Sequence, residues 1–394
     1  MSLILLWLDG GPSQLETFDP HPGKIAGPTK SIPTSVPEVR FGEGLPRLAE
    51  LMDRMTIIRS VTGTELDHLR SMYQVKTGFA PSASIVHPTL GAICAAHLPE
   101  PTCELPPFIT IIATTSVTSS NSGGAEAGYL GQNYNPFRTG DPINPPTNLR
   151  STVSWKRFQR RMEGLRIVEH ARAEQNAALA TRLGGSEQTQ QIVKMMASPQ
   201  SRAFSIDTEP LSLQHAYGDN PFGRSCLAAR RLVEVGVRCV EVQLSGWDSH
   251  VSNFTAHARL NSMLDSGFAT LIADLEERAM LDSTLVLCMG EFGRTPAINP
   301  TNGRDHWPYG FSVALVGGQI RKGVVFGATD PEGSRAVVDA VSLPTLTATV
   351  LTAMRLNPST ESVVGARPVK LSDGEPLASV LASISKPRRG GGDP

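Results

Sequence analysis

Apolar residues in this chain recur in short unbroken runs separated by stretches of helical spacing. Leu3–Leu8, Thr284–Met289 and Phe311–Val316 are continuous runs, the pattern of strands buried on both faces of a parallel sheet. Thr56–Arg59, Phe108–Ala113, Arg238–Leu244 and Val324–Phe326 read as further strands. Leu45–Met55, Leu69–Lys76, Pro88–His97, Gly223–Gly236, Leu260–Met280 and Leu343–Met354 carry apolar residues at helical intervals. Strands and helices in alternation are the grammar of an α/β fold. The pattern predicts one three-layer α/β/α sandwich with a mostly parallel sheet, over residues 1–385.

The alternation lapses between about 115 and 222. Thr114–Gly124 is a Thr/Ser/Gly/Asn tract, and Asn133–Asn148 is dominated by Pro, Asn and Gly. Val153–Met196 is helical in pattern, but its apolar positions are too sparse for a core. This region is expected to be a helical insertion that flanks or covers the working cleft without adding central strands. Residues 19–44, rich in Pro and Gly, read as an ordered excursion without regular structure. The tail, 386–394, is basic and Gly-rich and is expected to be disordered.

Charge changes the picture by exclusion. Lys plus Arg number 36 against 37 Asp plus Glu, and the cations are scattered, so neither a nucleic-acid partner nor a polybasic membrane surface is indicated. No window reaches the roughly 18 apolar residues of a membrane span. The opening MSLILLWLDGG lacks the basic region and apolar length of a signal peptide. Cysteines at 94, 103, 226, 239 and 288 form no Cys-x-x-Cys pair, which argues against a disulfide framework or a zinc ribbon. Cys239 and Cys288 sit inside strands and read as core residues. A Cys94–Cys103 bridge stays open, as does the oligomeric state.

The candidate chemistry gathers where strands end. Asp9, Asp248 and Glu291 each follow an apolar strand, and in a parallel sheet those carboxyl ends fall on one edge, where such folds place their sites. His250 and the Arg304-Asp305-His306 run lie in the adjoining loops. His68 falls at a helix start, where free N–H groups favour an anion. Carboxylates and imidazoles together form a ligand set for a divalent metal: zinc, manganese, magnesium or calcium. Without a cation, acids so placed would raise one another's pKa values. Arg294 and Arg304 are candidates to clamp the oxygens of a phosphate or sulfate, although an Arg paired with a nearby Asp is an equal reading of each.

The segments LWLDGGPSQLETFDP, HLRSMYQVKTG, HPTLGA, FGRSCLAARRLVEVGVR, GWDSH, DLEERAMLDSTLVLCMGEFGRTPAIN and GRDHWPYGFSVALVGG resemble a bacterial family, domain of unknown function 1501. That family is abundant in planctomycetes and is grouped with the alkaline phosphatase and sulfatase superfamily. The resemblance spans about Ile4 to Val369, and the GEFGRTP…GRDHWP segment carries it most specifically. It implies an alkaline phosphatase-like sandwich. Asp9 matches the first-strand aspartate that binds one metal. Glu291 matches the Asp of a later Asp-His pair, with Phe292 where the His belongs. Asp248, His250 and His306 look like the Asp, His and distant His of the other metal site. Aligning on Thr77-Gly78 puts His68 at the nucleophile position and Met72 where sulfatases have Arg. His68 is therefore a third ligand, a nucleophile, or the mark of a site that has lost hydrolytic chemistry.

The function so implied is metal-dependent hydrolysis of phosphate or sulfate esters, on a small molecule or a polysaccharide. The alternative is a non-catalytic metal- or anion-binding protein with a degenerate site, for instance one recognising sulfated polysaccharide. Family members commonly carry a twin-arginine export signal ahead of the first strand, which implies a periplasmic or exported protein. Without one the expectation is a truncated or mis-assigned start, or a cytosolic chain.

Overall fold

Strand β1, Ser2–Asp9, divides the molecule into its layers. Its side chains alternate between two cores: Ile4, Leu6 and Leu8 enter one, and Leu3, Leu5 and Trp7 the other. A strand buried on both faces needs an unbroken apolar run, as the sequence has. This is seen in a computed structural model of the chain, which describes residues 1–113, 126–144, 153–175 and 185–382. The Thr114–Gly124 tract and the 386–394 tail lie outside those residues.

The other sheet strands are β2 (Met55–Thr62), β3 (Phe108–Ile112), β4 (Phe137–Thr139), β5 (Cys239–Ser245), β6 (Thr284–Met289), β7 (Phe311–Gly317), β8 (Val324–Phe326) and β9 (Val341–Ser342). Their order is β8-β2-β7-β6-β1-β5-β3-β4, with β9 also on β2. Only β7 runs antiparallel to its neighbours. Among the described residues the α-helices are α1 (Pro46–Glu50), α2 (His68–Thr77), α3 (Leu90–His97), α4 (Trp155–Gln175), α5 (Gly185–Ala197), α6 (Leu211–Tyr217), α7 (Pro221–Glu234), α8 (Asn253–Glu277) and α9 (Leu343–Ala353). Buried residues of α1, α7 and α8 fill one core, and those of α2, α3 and α9 fill the other. The fold is an α/β sandwich around a mixed, mostly parallel sheet.

Several local expectations change. The helix expected over Leu45–Met55 is α1 followed by a 3-10 turn, Met52–Arg54. Residues 19–44 hold a small antiparallel hairpin, Ser31–Pro33 on Arg40–Gly42. Within the region expected to be a helical insertion, β4 adds an edge strand, parallel to β3. Met195 of α5 is buried in the core despite its polar surroundings. Cys94 and Cys103 are not bridged, and all five thiols are free. Gln191 of α5 and nearby Gln200 donate to the carbonyls of Glu104 (3.2 Å) and Thr102 (3.0 Å). Those residues precede β3, so these contacts lie toward the amino edge of the sheet, opposite the strand-end acids.

Candidate metal centre

β5, β1 and β6 are adjacent and parallel, so the residues that follow them share one edge. Asp9 is the last residue of β1, Asp248 lies just past β5, and Glu291 just past β6. Gly10 makes their approach possible: its φ is +111°, and a Cβ there would stand 2.3 Å from the Asp248 amide nitrogen. Its own amide donates to Glu291 Oε1 at 2.9 Å. His306 arrives on a two-residue ladder, Gly293–Arg294 against His306–Trp307. His68 opens α2, capped by the Asp67 side chain accepting from the Arg70 amide at 3.0 Å. One turn on, Ser71 Oγ donates to the Glu291 carbonyl at 2.6 Å and ties that helix face to the loop.

Each of the three imidazoles has its Nδ1 engaged by the protein. His68 Nδ1 meets Glu291 Oε1 at 2.8 Å, His250 Nδ1 meets Asp305 Oδ1 at 2.7 Å, and His306 Nδ1 meets the Leu66 carbonyl at 2.7 Å. An imidazole nitrogen facing a carboxylate or carbonyl donates, so once a ring has given up its second proton, Nε2 is its electron-pair side. All three Nε2 atoms turn toward Asp248. His250 and His306 lie 3.2 and 3.3 Å from its Oδ1, and His68 lies 3.4 Å from its Oδ2. His250 Nε2 and His306 Nε2 are 2.9 Å apart. Two lone pairs at that distance require a cation or a proton beside them. Ligand atoms of His68, Asp248 and His306 lie within 4.8 Å of one another. A ring whose far nitrogen is held by a carboxylate or carbonyl is the usual arrangement of a metal-bound histidine.

Without a cation, a proton on His68 balances the charge of the neighbouring carboxylates. Burial lowers the His68 pKa, but hydrogen bonds to Asp248 and Glu291 outweigh it and bring it to about 9. Burial raises the Asp248 pKa, yet His306, His68 and Arg294 together hold it far below the carboxylate range. The His250 hydrogen bond lowers Asp305. Asp9 is raised, first by burial and then by the nearby Glu291 charge. Glu291 Oε2 is buried and accepts no hydrogen bond, so it has a lone pair to offer a cation.

The structure thus brings Asp9, Asp248, His250, Glu291, Asp305, His306 and His68 to one edge, in different positions. Asp305 and Glu291 grip imidazoles from behind. The two arginines are not presented as anion clamps. Arg294 is fully buried and donates to Asp248 (2.8 Å) and to the carbonyls of Gly10, Gly11 and Arg304. Arg304 is also fully buried, paired with Glu16, and its other donors go to the carbonyls of Thr295, Pro296 and Ile25. No donor of Arg304 remains for a substrate oxyanion, because all five are used. Glu16 was not among the expected site residues, and its partner lies 288 positions away.

The family described as "Protein of unknown function (DUF1501)" matches residues 1–381. The chain belongs to that family. No curated protein matches it. Among solved structures, a sulfatase from Pseudoalteromonas sp. is similar at 12% identity and TM-score 0.40, over 90% of this chain and 68% of that one. A member of the alkaline phosphatase superfamily from Vibrio parahaemolyticus is similar at 12% identity and TM-score 0.38, over 92% and 70%. The periplasmic domain of EcEptC from Escherichia coli, in complex with Zn, is similar at 10% identity and TM-score 0.38, over 80% and 72%. No helix of the described residues is long and apolar enough to cross a membrane.

Proposed function

We propose that this protein is a metal-dependent hydrolase of phosphate or sulfate esters. The observation that supports the reading best is the convergence of three imidazole Nε2 atoms on Asp248, each ring held from behind by a protein acceptor. His68, His250, His306 and Asp248 would hold the cation. A nitrogen-rich set of this kind suits zinc better than manganese, magnesium or calcium, which favour oxygen ligands. Bound there, the cation would act as a Lewis acid toward the ester's non-bridging oxygen.

The chain's own groups do the positioning. Glu291, Asp305 and the Leu66 carbonyl fix the three ring orientations, and Arg294 fixes Asp248. With Nδ1 on Glu291 and Nε2 toward Asp248, His68 serves as a ligand, not as a nucleophile. A second reading, a metal- or anion-binding protein whose hydrolytic site has degenerated, gains support from Arg304, which has no donor to offer a substrate. Sulfated polysaccharide is one ligand it would take.

Turnover separates the two. Purified protein loaded with zinc or manganese is expected to hydrolyse a simple aryl phosphate or aryl sulfate, and His306→Ala to lose that activity. Binding of inorganic phosphate or sulfate without turnover of any ester would favour the second reading.

A further inference from the structure

The two loops that carry His250 and His306 are joined backbone to backbone. Arg304 N donates to the Ser249 carbonyl at 3.0 Å, and Asn299 Nδ2 and Thr301 Oγ1 donate to the His250 carbonyl at 3.0 and 2.7 Å. Gly303 lies so close that a Cβ there would stand 1.9 Å from the His250 oxygen. Beneath this seam lies the Glu16–Arg304 pair. Arg304 Nη2 and Nε reach Glu16 Oε1 and Oε2 at 2.8 and 3.1 Å, with Arg304 wholly buried and Glu16 2% exposed. Asn253 Nδ2 donates to the same Glu16 carboxylate at 3.0 Å, and its Oδ1 accepts from Ser249 Oγ at 2.6 Å.

The chain of contacts therefore runs from Glu16 in two directions. Through Arg304 it reaches the residue two before His306, and through Asn253 and Ser249 the residue just before His250. A fully buried ion pair is a poor source of stability, because desolvation offsets most of the attraction. Its attested value is in fixing register, and here the register is that of two ligand-bearing loops.

We propose that Glu16 and Arg304 are positioning residues for the metal centre, setting the His250–His306 separation on which cation affinity depends. The inference rests on the metal reading above. Neither residue touches the cation, and both act through the loops. Replacing Arg304 by Lys keeps the charge but removes the two-pronged grip and most of the carbonyl contacts.

The experiment measures Zn²⁺ affinity by competition with a chromophoric chelator, and the visible spectrum of the Co²⁺-loaded protein. The proteins are wild type, Arg304→Lys, Ser249→Ala and Arg230→Lys. The last disturbs an equally buried pair, Arg230–Asp274 (2.9 Å), between α7 and α8 and away from the ligand loops. Arg304→Lys is expected to bind Zn²⁺ about 10- to 100-fold more weakly, with an altered Co²⁺ spectrum, the usual effect of losing an outer support of a metal site. Ser249→Ala, a small change that leaves the pair intact, is expected to weaken binding several-fold. Arg230→Lys should lower thermal stability and leave affinity and spectrum unchanged. Wild-type affinity and spectrum in Arg304→Lys would overturn the proposal. Should Arg304→Lys not fold, wild-type affinity in Ser249→Ala would do so. A wild-type protein that binds no divalent cation would overturn the metal reading and this inference together, whereas tight binding by every variant would overturn the inference alone.

Discussion

His250 Nε2 and His306 Nε2 face each other at 2.9 Å, each on a ring whose other nitrogen is already committed to a protein acceptor. Two neutral imidazoles with both lone pairs turned inward repel, and a proton shared between them or a bound cation removes that repulsion. Asp248 and His68 lie beside the pair.

Metal binding should depend steeply on pH. In the metal-free protein, His68 between Asp248 and Glu291 has its pKa raised to about 9, so at neutral pH it must lose a proton before it can act as a ligand. Apparent Zn²⁺ affinity should therefore fall by about tenfold for each pH unit below 9, for the one proton released. The raised pKa also fixes a sign for stability. The His68 contribution to metal-free folding is fully present below its unfolded value near 6.5 and is lost as pH rises through about 9. Thermal melts of metal-free wild type and His68→Ala across pH 6 to 10 should diverge at the acid end and converge at the alkaline end. Parallel curves would contradict the assignment.

Gly10→Ala should damage the site as a whole. The backbone there is at φ +111°, and an added methyl group would press on the Asp248 amide. Backbone strain alone costs about 1–3 kcal/mol, and the overlap with backbone atoms adds to it. A lower melting temperature together with weakened Zn²⁺ binding is expected. An unchanged melt would mean that the turn after β1 is looser than described.

The acids at the ends of β1, β5 and β6 were legible because an apolar run followed by Asp or Glu is a local pattern. So were most strands and the start of α2, where Asp67 caps the helix. The fate of Arg304 was not. In the sequence it reads equally as an anion clamp or as the partner of a nearby Asp, and its actual partner, Glu16, is brought to it only by the closed fold. The same holds for β4, three residues that are a strand only because β3 offers an edge. Which acid meets a ring at Nδ1 and which at Nε2 was also invisible, since Asp305 and Asp248 look alike as letters.

Below the site, Lys76 Nζ pairs with Glu241 Oε1 at 2.8 Å, both side chains buried, and the ammonium lies 4.3 Å from the centre of the Trp7 ring. Lys76→Met takes the cation from a buried Glu241 that keeps only the Gln243 Nε2 donor (2.8 Å) and should destabilise the protein by about 3–5 kcal/mol, whereas removing both charges, as in Lys76→Met with Glu241→Leu, should recover most of it. A double-mutant cycle in urea unfolding measures this. Additive losses would show that the two groups do not depend on each other.

In the proposed function, His68, Asp248, His250 and His306 together hold a divalent cation, and that binding decides the reading. It is tested most directly by elemental analysis of the protein after loading with excess Zn²⁺ or Mn²⁺ and exhaustive dialysis, compared with His250→Ala/His306→Ala treated identically. A bound metal retained by the wild type and lost from a double variant that still melts cooperatively is the expected result. Metal absent from the wild type, or retained equally by the variant, would contradict it.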